Sequence, residues 1–444
     1  MTQLLDLPNE ILQEICEALS PIHVSGTLRH VENMWFNRVL VGALSNFSQT
    51  CSTIRNLAEP MLYQCPLTAG SGFISLVRTL CRRQDLAQMV RVLKVNGPWH
   101  LRRGHVISPQ DVELFNNALS KCRGVDGQPI QVSRNWHLTV RPQPVVYTTD
   151  LFEYDPRLAL SALALAQITN VLRLEVEYYD DEPSSFSFCH PGSLPRLTEL
   201  YLEDGEARTG VNLNVVNDLL RAAPNLRVLE VCRIDSATNC TDHDNVVEVV
   251  MKNNHLNFES LQRIMEQFKN MQTLSYQAGN FPLDSGGQAS PRDVSRALLT
   301  RADTLRDVSL WFTQGGIWPD RMDERFVMSS LKEMQVLERL EVDGHGLYDL
   351  IAADAATDGD LLTELLPPTI RSLKIDGIYD DVLPDILNLA KKAPRDFPNL
   401  RDICLTGLGE ETRVTVRVAF AESGIKTDLD AVPASRYIQD RGQV

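Results

Sequence analysis

Cysteine and histidine side chains, the residue types that bind zinc through sulfur or imidazole nitrogen, come closest together between residues 232 and 255. They are Cys232, Cys240, His243 and His255. Closed zinc sites usually draw their ligands from tightly spaced pairs, and this spacing contains none. The sequence therefore predicts no metal site, and we expect no other cofactor.

Two runs of carboxylates, at residues 180–182 and 354–360, are a second candidate for chemistry, either as acid–base pairs or as calcium ligands. Neither run has the alternating oxygen ligands and central glycine of a calcium-binding loop, so we interpret both as solvated loops. The sequence also lacks a glycine-rich phosphate loop and the Gly-x-Ser-x-Gly motif of serine hydrolases. These enzyme classes therefore lack support in the sequence, and we expect a non-catalytic chain.

The distribution of charge limits the possible partners. The formal net charge of −15 opposes binding to nucleic acids, which requires clustered Lys and Arg. Residues 71–145 are an exception, with 11 Lys and Arg against 4 Asp and Glu, whereas residues 146–444 carry 29 against 48. This basic excess fits either an acidic partner or the acidic part of the same chain. We favour the second, because no basic run exceeds two residues.

The cysteines and the apolar segments indicate the compartment. The nine cysteines are odd in number and scattered, which is poor material for a disulfide framework and predicts a reducing environment. No signal-peptide pattern is present at the N-terminus, and the longest apolar tract, residues 158–168, is too short to span a bilayer. We expect a cytoplasmic or nuclear protein without membrane association.

Three short helices are predicted in the first 65 residues. The first begins at Leu7-Pro8 and ends near Ser20, since proline is tolerated in a first helical turn. Its apolar positions share one face, which must be buried. The second helix groups Leu40, Leu44 and Phe47, and the third groups Cys51, Ile54 and Leu57 until Pro60 interrupts it. The apolar residues of the first helix are Ile11, Leu12, Ile15 and Leu19.

This segment resembles an F-box of the fungal type. The resemblance rests on Leu7-Pro8-x-Glu10-Ile11-Leu12-x-x-Ile15, then on Leu44 to Leu57, and then on Pro60-x-Leu62-Tyr63. The link from residue 21 to residue 40 is longer than is usual in the family.

The resemblance implies that the module binds the Skp-family adaptor of a cullin ubiquitin ligase. The alternative is an ordinary N-terminal cap of the solenoid described next, with the same residues packed inward. By position, the resemblance makes these residues candidates for the adaptor contact and the module's core: Leu7, Pro8, Ile11, Leu12, Ile15, Leu44, Cys51, Ile54 and Leu62.

From residue 168 onward, an apolar-x-x-apolar-x-apolar pattern returns eight times, at steps of 26 to 45 residues. This is the range of leucine-rich repeats, with an insertion near residues 232–256. Three residues after the last apolar position, where an asparagine is expected, three of the copies have Gly205, Ile234 and Gly279 instead. The copies are Val171/Leu174/Val176, Leu197/Leu200/Leu202, Leu226/Leu229/Val231, Met271/Leu274/Tyr276, Leu305/Val308/Leu310, Leu337/Leu340/Val342, Ile370/Leu373/Ile375 and Leu400/Ile403/Leu405.

Helical stretches between the copies predict a repeating strand–helix unit whose apolar faces are buried only when neighbours stack. We expect helices at residues 215–222, 256–268, 292–302, 326–334, 382–390 and 414–420, an earlier strand at residues 90–95 and a closing strand at 426–429. The predicted fold is α/β: an all-α F-box module at residues 1–65, a linking region at 66–167, a leucine-rich-repeat, ribonuclease-inhibitor-like β/α solenoid at 168–430, and a flexible tail at 431–444.

Alternation along the strands predicts which side chains lie on the open face of the sheet. Each of the eight copies has three such positions, and of these 24 residues ten are acidic and three are basic. A negative surface would steer a basic segment of a client protein towards it, with Tyr201 and Trp311 as anchors. The predicted client-binding residues are Glu175, Glu199, Tyr201, Glu230, Trp311 and Glu341.

Two functions are compatible with these features. The first is the substrate-recognition subunit of a Skp/cullin/F-box ubiquitin ligase, whose repeats bind a protein client. The second is a structural or regulatory leucine-rich-repeat scaffold that binds the Skp-family adaptor without ubiquitin transfer.

Overall fold

The computed structural model describes residues 7–20, 34–66, 71–95, 108–121, 156–178, 186, 189–204, 210–238, 241–279, 288–312, 327–347 and 359–429. Two compact units are distinguished: residues 1–205 with 215–226, and residues 206–214 with 227–444. This division lies inside the segment predicted as one solenoid. The predicted domain boundaries therefore stay a prediction, and each unit is described by itself.

The first unit begins with three helices, α1 (Asn9–Ala18), α2 (Met34–Ser48) and α3 (Ser52–Gln64). Pro8 stands immediately before α1, and its carbonyl accepts hydrogen bonds from the N–H groups of Ile11 and Leu12. Glu10 lies in the first turn, where a negative charge is favourable. The Cys51 thiol caps α3 by accepting a hydrogen bond from the Ile54 N–H at 3.5 Å. The sequence prediction of three helices in this order is confirmed.

The expectation that Pro60 interrupts the third helix is wrong. Helix α3 continues through Pro60 to Gln64. A proline inside a helix removes one N–H donor, and this loss is tolerated where packing holds the chain in place. Ala58 and Met61, on either side of Pro60, are both buried, so tertiary contacts maintain the helix across the proline.

The rest of the first unit alternates helices with parallel strands. The helices are α4 (Ser71–Arg82), α5 (Gln84–Ala87), α6 (Pro109–Leu119), α7 (Pro156–Gln167) and α8 (Asn217–Ala222). The strands are β1 (Val92–Val95), β2 (Arg173–Tyr178) and β3 (Glu199–Asp204), paired in that order. The predicted early strand at residues 90–95 is therefore confirmed as β1. A 3-10 turn at Leu213–Val216 precedes α8.

The second unit contains a parallel sheet of eight strands in chain order, with a short parallel pair beside it. The pair is β4 (Val211–Asn212) and β6 (Ile234–Ser236). The sheet strands are β5 (Val228–Cys232), β7 (Glu248–Asn254), β8 (Thr273–Ala278), β9 (Asp307–Trp311), β10 (Arg339–Asp343), β11 (Ser372–Asp376), β12 (Asp402–Leu405) and β13 (Lys426–Asp428). The helices are α9 (Phe258–Gln267), α10 (Pro291–Leu298), α11 (Gly344–Leu347), α12 (Leu361–Leu365), α13 (Leu383–Asp396) and α14 (Glu410–Glu422), with 3-10 turns at Leu299–Arg301 and Asp380–Val382.

The apolar positions of all eight predicted copies are buried, and each copy contains one strand. Residues between them on the same strand are more exposed, so that β5 alternates between half-buried and buried positions along its whole length. This alternation is expected for strands that bury one face of a sheet. The prediction of an α/β fold with a parallel sheet and strand–helix repeats is confirmed.

The supposed insertion near residues 232–256 contains a ninth copy. Val246, Val249 and Met251 are fully buried, and β7 pairs with β5 on one side and β8 on the other. This copy carries the asparagine expected three residues after the last apolar position. Asn254 is buried, and its Nδ2 donates to the carbonyl oxygens of Met251 at 3.4 Å and Gln277 at 2.5 Å.

The helix predicted at residues 326–334 is wrong over its described part. Residues 327–334 contain bends and turns. The N–H groups of Met328, Ser329 and Leu331 donate to neighbouring segments at 2.8 to 3.1 Å instead of to a preceding turn of their own. Serine favours such local alternatives over helix formation, because its hydroxyl competes for backbone groups.

Across the ranges that the structure describes, no helix is long and apolar enough to span a membrane.

Candidate protein-binding surfaces

The helices α1, α2 and α3 share a small core. Cys16, Leu44, Ala58 and Met61 pack together, and partly buried apolar residues surround them. Leu12 and Ile54 are also buried, at 1% and 0% exposure. The predicted adaptor-contact residues Leu12, Leu44 and Ile54 therefore lie inside the module, as core residues.

The apolar stripe of α1 extends beyond the part that is buried inside the three-helix module. Pro8 is exposed, Ile11 is 40% exposed, and Ile15 and Leu7 are half-buried. Because these residues flank the buried Leu12, they form the outer part of one continuous apolar surface. A partner protein could cover this part without disturbing the core.

The remaining two adaptor candidates belong to α3. Cys51 is half-buried and serves as the helix cap described above, and Leu62 is partly buried against the core. The structure also exposes Val39 of α2, by 51%. Sequence reasoning missed Val39, although it directly precedes Leu40, a residue assigned to the apolar face of the same helix. Single exposed apolar residues are common on proteins, so the stripe of α1 carries more weight.

On the sheet of the first unit, the predicted client-binding residues are paired with cations. Arg173 Nη2 lies 2.8 Å from Glu175 Oε1, and Arg173 Nη1 lies 3.7 Å from Glu199 Oε2. The guanidinium also stacks 3.9 Å from the ring centroid of Tyr201. Lys94 Nζ lies 3.6 Å from Glu175 Oε2. These pairs reduce the negative potential that the two glutamates would create alone.

The acidic positions of the second unit are also paired across strands. Lys252 Nζ lies 2.5 Å from Glu230 Oε1, and Lys374 Nζ pairs with Glu341. Ser309 Oγ donates to Glu341 Oε2 at 3.4 Å. The pattern of charges along each strand predicted an acidic surface, and cations pair with four of its glutamates, Glu175, Glu199, Glu230 and Glu341.

Trp311, the second predicted anchor, is largely buried, and its role as an anchor stays a prediction. The residue is only 9% exposed. The indole Nε1–H donates to Ser309 Oγ at 2.9 Å, and Lys374 Nζ lies 5.7 Å from the ring centroid. A tryptophan held in this way adds little new apolar contact area to a partner.

Buried cysteines are held as neutral thiols. Burial raises the pKa of Cys65 to about 12, and the Glu175 carboxylate adds to the effect. Burial likewise raises the pKa of Cys189 to about 12, with Asp218 contributing. A thiol with such a pKa is a poor nucleophile and a poor metal ligand at neutral pH, because both roles require the thiolate.

The described cysteine and histidine residues between positions 232 and 255 belong to no group that could hold a metal ion. Within the described residues, no group of three or more His, Cys, Asp or Glu side chains could hold a metal ion. His243 is buried, and the His255 ring packs against Gly279, where a Cβ would meet the ring at 2.2 Å. Burial lowers the pKa of His255. Cys240, the run at 180–182 and most of the run at 354–360 lie outside the described residues.

No family model matches the chain, and no curated protein matches it either. Among solved structures, the crystal structure of the Rad7 and Elc1 complex in yeast is similar to 60% of this chain, at 13% identity and a TM-score of 0.30. The match covers 64% of that yeast chain, less than two thirds of its length. At this TM-score the likeness supports no argument about fold or function.

Proposed function

We propose that this protein is the substrate-recognition subunit of a Skp/cullin/F-box ubiquitin ligase. The helices α1 to α3 would bind the Skp-family adaptor and, through it, the cullin, and the strand–helix repeats would bind a client protein. The chain would be non-catalytic, with ubiquitin transfer performed by other subunits, in the cytoplasm or the nucleus.

The observation that carries this proposal is the uncovered apolar stripe of α1. The module already has its own core in Cys16, Leu44, Ala58 and Met61, so the exposed Ile11 is not required to complete it. Apolar surface beside a finished core favours a protein partner over the alternative of a simple solenoid cap. The resemblance of residues 7–63 to an F-box gives that partner its identity.

The experiment captures partners with the tagged full-length chain and compares it with Ile11→Asp. We expect the wild type to retain both the Skp-family adaptor and a cullin, whereas Ile11→Asp should retain neither, since a charge would be desolvated in the contact. Val418→Asp is a matched control, because Val418 is 55% exposed on α14, in the other unit. Absence of the adaptor from the wild-type capture would contradict the proposal.

The second candidate function, a scaffold that holds the adaptor without ubiquitin transfer, uses the same surface of α1. It predicts recovery of the adaptor without cullin in the same capture. The two functions are therefore separated by one immunoblot for cullin.

A further inference from the structure

The N-terminal ends of the last strands of the second unit carry five exposed cations. We name this group the cationic rim and define it by Arg306, Arg339, Arg371, Arg401 and Lys426. Each belongs to, or directly precedes, one of the consecutive strands β9 to β13. All five side chains are exposed.

The rim occupies two neighbouring register positions. Arg339 and Lys426 align with Asp307, Ser372 and Asp402, and the other three cations stand one residue earlier on their strands. Backbone hydrogen bonds fix the order of the strands at this end of the sheet. The Glu338 N–H donates to the Arg306 carbonyl at 2.9 Å, and the Arg371 N–H donates to the Glu338 carbonyl at 2.8 Å. The Arg401 N–H donates to the Arg371 carbonyl at 2.9 Å, and the Lys426 N–H donates to the Arg401 carbonyl at 2.8 Å. Neighbouring strands in a sheet are about 4.8 Å apart, so four steps from β9 to β13 place the ends of the rim about 19 Å apart.

Carboxylates neutralise the rim only in part. Glu338 is shared between Arg306, at 3.0 Å, and Arg371, at 3.4 Å, and Arg339 pairs with Asp307. The only other carboxylate at these strand starts is Asp402, so the starts of β9 to β13 carry five cations and three anions. Among the described residues, neither Arg401 nor Lys426 forms an ion pair.

The turns that lead into the last three strands add no compensating charge. Residues 367–370, 397–400 and 423–425 contain no Asp, Glu, Lys or Arg. The positive charge at Arg371, Arg401 and Lys426 is therefore concentrated within an otherwise acidic chain of net charge −15.

We propose that the cationic rim binds an acidic segment of a partner protein in an extended conformation. This inference rests on the proposed function, because it gives the client of the repeats a chemical character. An extended segment rises about 3.3 Å per residue, so about six residues would span the rim. Arginine suits this role, since its planar guanidinium forms paired hydrogen bonds with carboxylates.

An acidic peptide fits the rim better than a nucleic acid does. Binding to nucleic acid depends on many cations placed against a dense row of phosphates, and here carboxylates alternate with the arginines. The acidic remainder of the chain would also repel a long polyanion. A short acidic segment contacts the rim alone and avoids most of this repulsion.

The test measures fluorescence anisotropy of a labelled hexaglutamate peptide with the purified full-length chain. The test variant is Arg371→Glu with Arg401→Glu. The control is Arg263→Glu with Lys391→Glu, two exposed cations on α9 and α13 that make the same change in net charge. We expect the test variant to weaken binding about tenfold or more and the control to change it less than about twofold. Wild-type binding should weaken between about 50 and about 300 mM salt.

Several outcomes would overturn the inference. The first is that the wild type does not bind the peptide, and the second is that the test and control variants lose peptide affinity equally. The third is that an oligouridylate with the same charge as the peptide binds the rim as strongly as the peptide does. Capture of the Skp-family adaptor by the same preparations reports separately on the proposed function. If the wild type captures the adaptor but does not bind the peptide, only the proposal for the cationic rim is overturned. If the wild type does not capture the adaptor, the proposed function is contradicted.

Discussion

Ile11 and Leu12 are neighbours in the sequence but lie in different environments. Leu12 is 1% exposed, and Ile11 is 40% exposed. The sequence pattern placed both on one apolar face, and this is correct. It could not show where along that face the module's own core ends, because this depends on how α3 packs against α1. The boundary between the buried and the exposed part of this apolar face therefore required the structure.

The link between Arg78 on α4 and Asp111 on α6 gives a residue-scale prediction. Arg78 Nε and Nη2 donate to the two carboxylate oxygens of Asp111, both at 2.6 Å, and the Ser108 hydroxyl donates at 2.7 Å. The Arg78 hydrogen bond holds the pKa of Asp111 below its usual value. The stabilisation is therefore present above the unfolded-state pKa of about 3.9 and is lost as the pH falls through the lower folded-state pKa.

We expect Asp111→Asn to lower the free energy of unfolding by about 1 to 3 kcal/mol at neutral pH, with the difference from wild type shrinking below about pH 4. Denaturant titrations between pH 7 and pH 3 measure it. Asp85→Asn is the control. Asp85 pairs with Arg83 at the surface, where solvent screens the pair, so Asp85→Asn should change the free energy of unfolding much less than Asp111→Asn. A pH-independent difference for Asp111→Asn would contradict the assignment.

At the scale of elements, β7 shows why one repeat escaped prediction. Residues 246–251 read Val-Val-Glu-Val-Val-Met, so extra valines at positions 247 and 250 hide the repeating trio. The copy also begins only 20 residues after the preceding one, closer than the spacing of the other copies. The remaining strands could be predicted, because buried apolar positions at fixed spacing constrain a strand more strongly than its polar residues do.

Val249 and Val250 provide a matched test of this element. Val249 faces the core with no exposure, whereas Val250 is half-buried on the other face of β7. We expect Val249→Ala to destabilise the chain by about 2 kcal/mol and Val250→Ala by less than about 1 kcal/mol. Thermal or denaturant unfolding measures both. Equal costs, or a larger cost for Val250→Ala, would show that the register of β7 is wrong.

At the scale of the whole molecule, the distribution of charge was predicted only in part. The excess of carboxylates over cations after residue 145 is visible in the sequence. The pairing of these carboxylates with cations is not visible in the sequence, because the register of neighbouring strands brings Lys252 to Glu230 and Lys374 to Glu341. For the same reason, the cationic rim consists of residues about 30 positions apart in the chain. Ion pairs between repeats therefore decide which surfaces keep a net charge, and such surfaces could not be predicted from single strands.

The central claim, that the outer part of the α1 stripe binds the Skp-family adaptor, is tested most directly by the affinity of the purified adaptor for the full-length chain. Isothermal titration calorimetry should show saturable binding by the wild type and binding at least about 100-fold weaker for Ile11→Asp. Circular dichroism spectra and melting temperatures of the two proteins should agree, because Ile11 is not part of the core. Equal affinity of the wild type and Ile11→Asp for the adaptor would contradict the account.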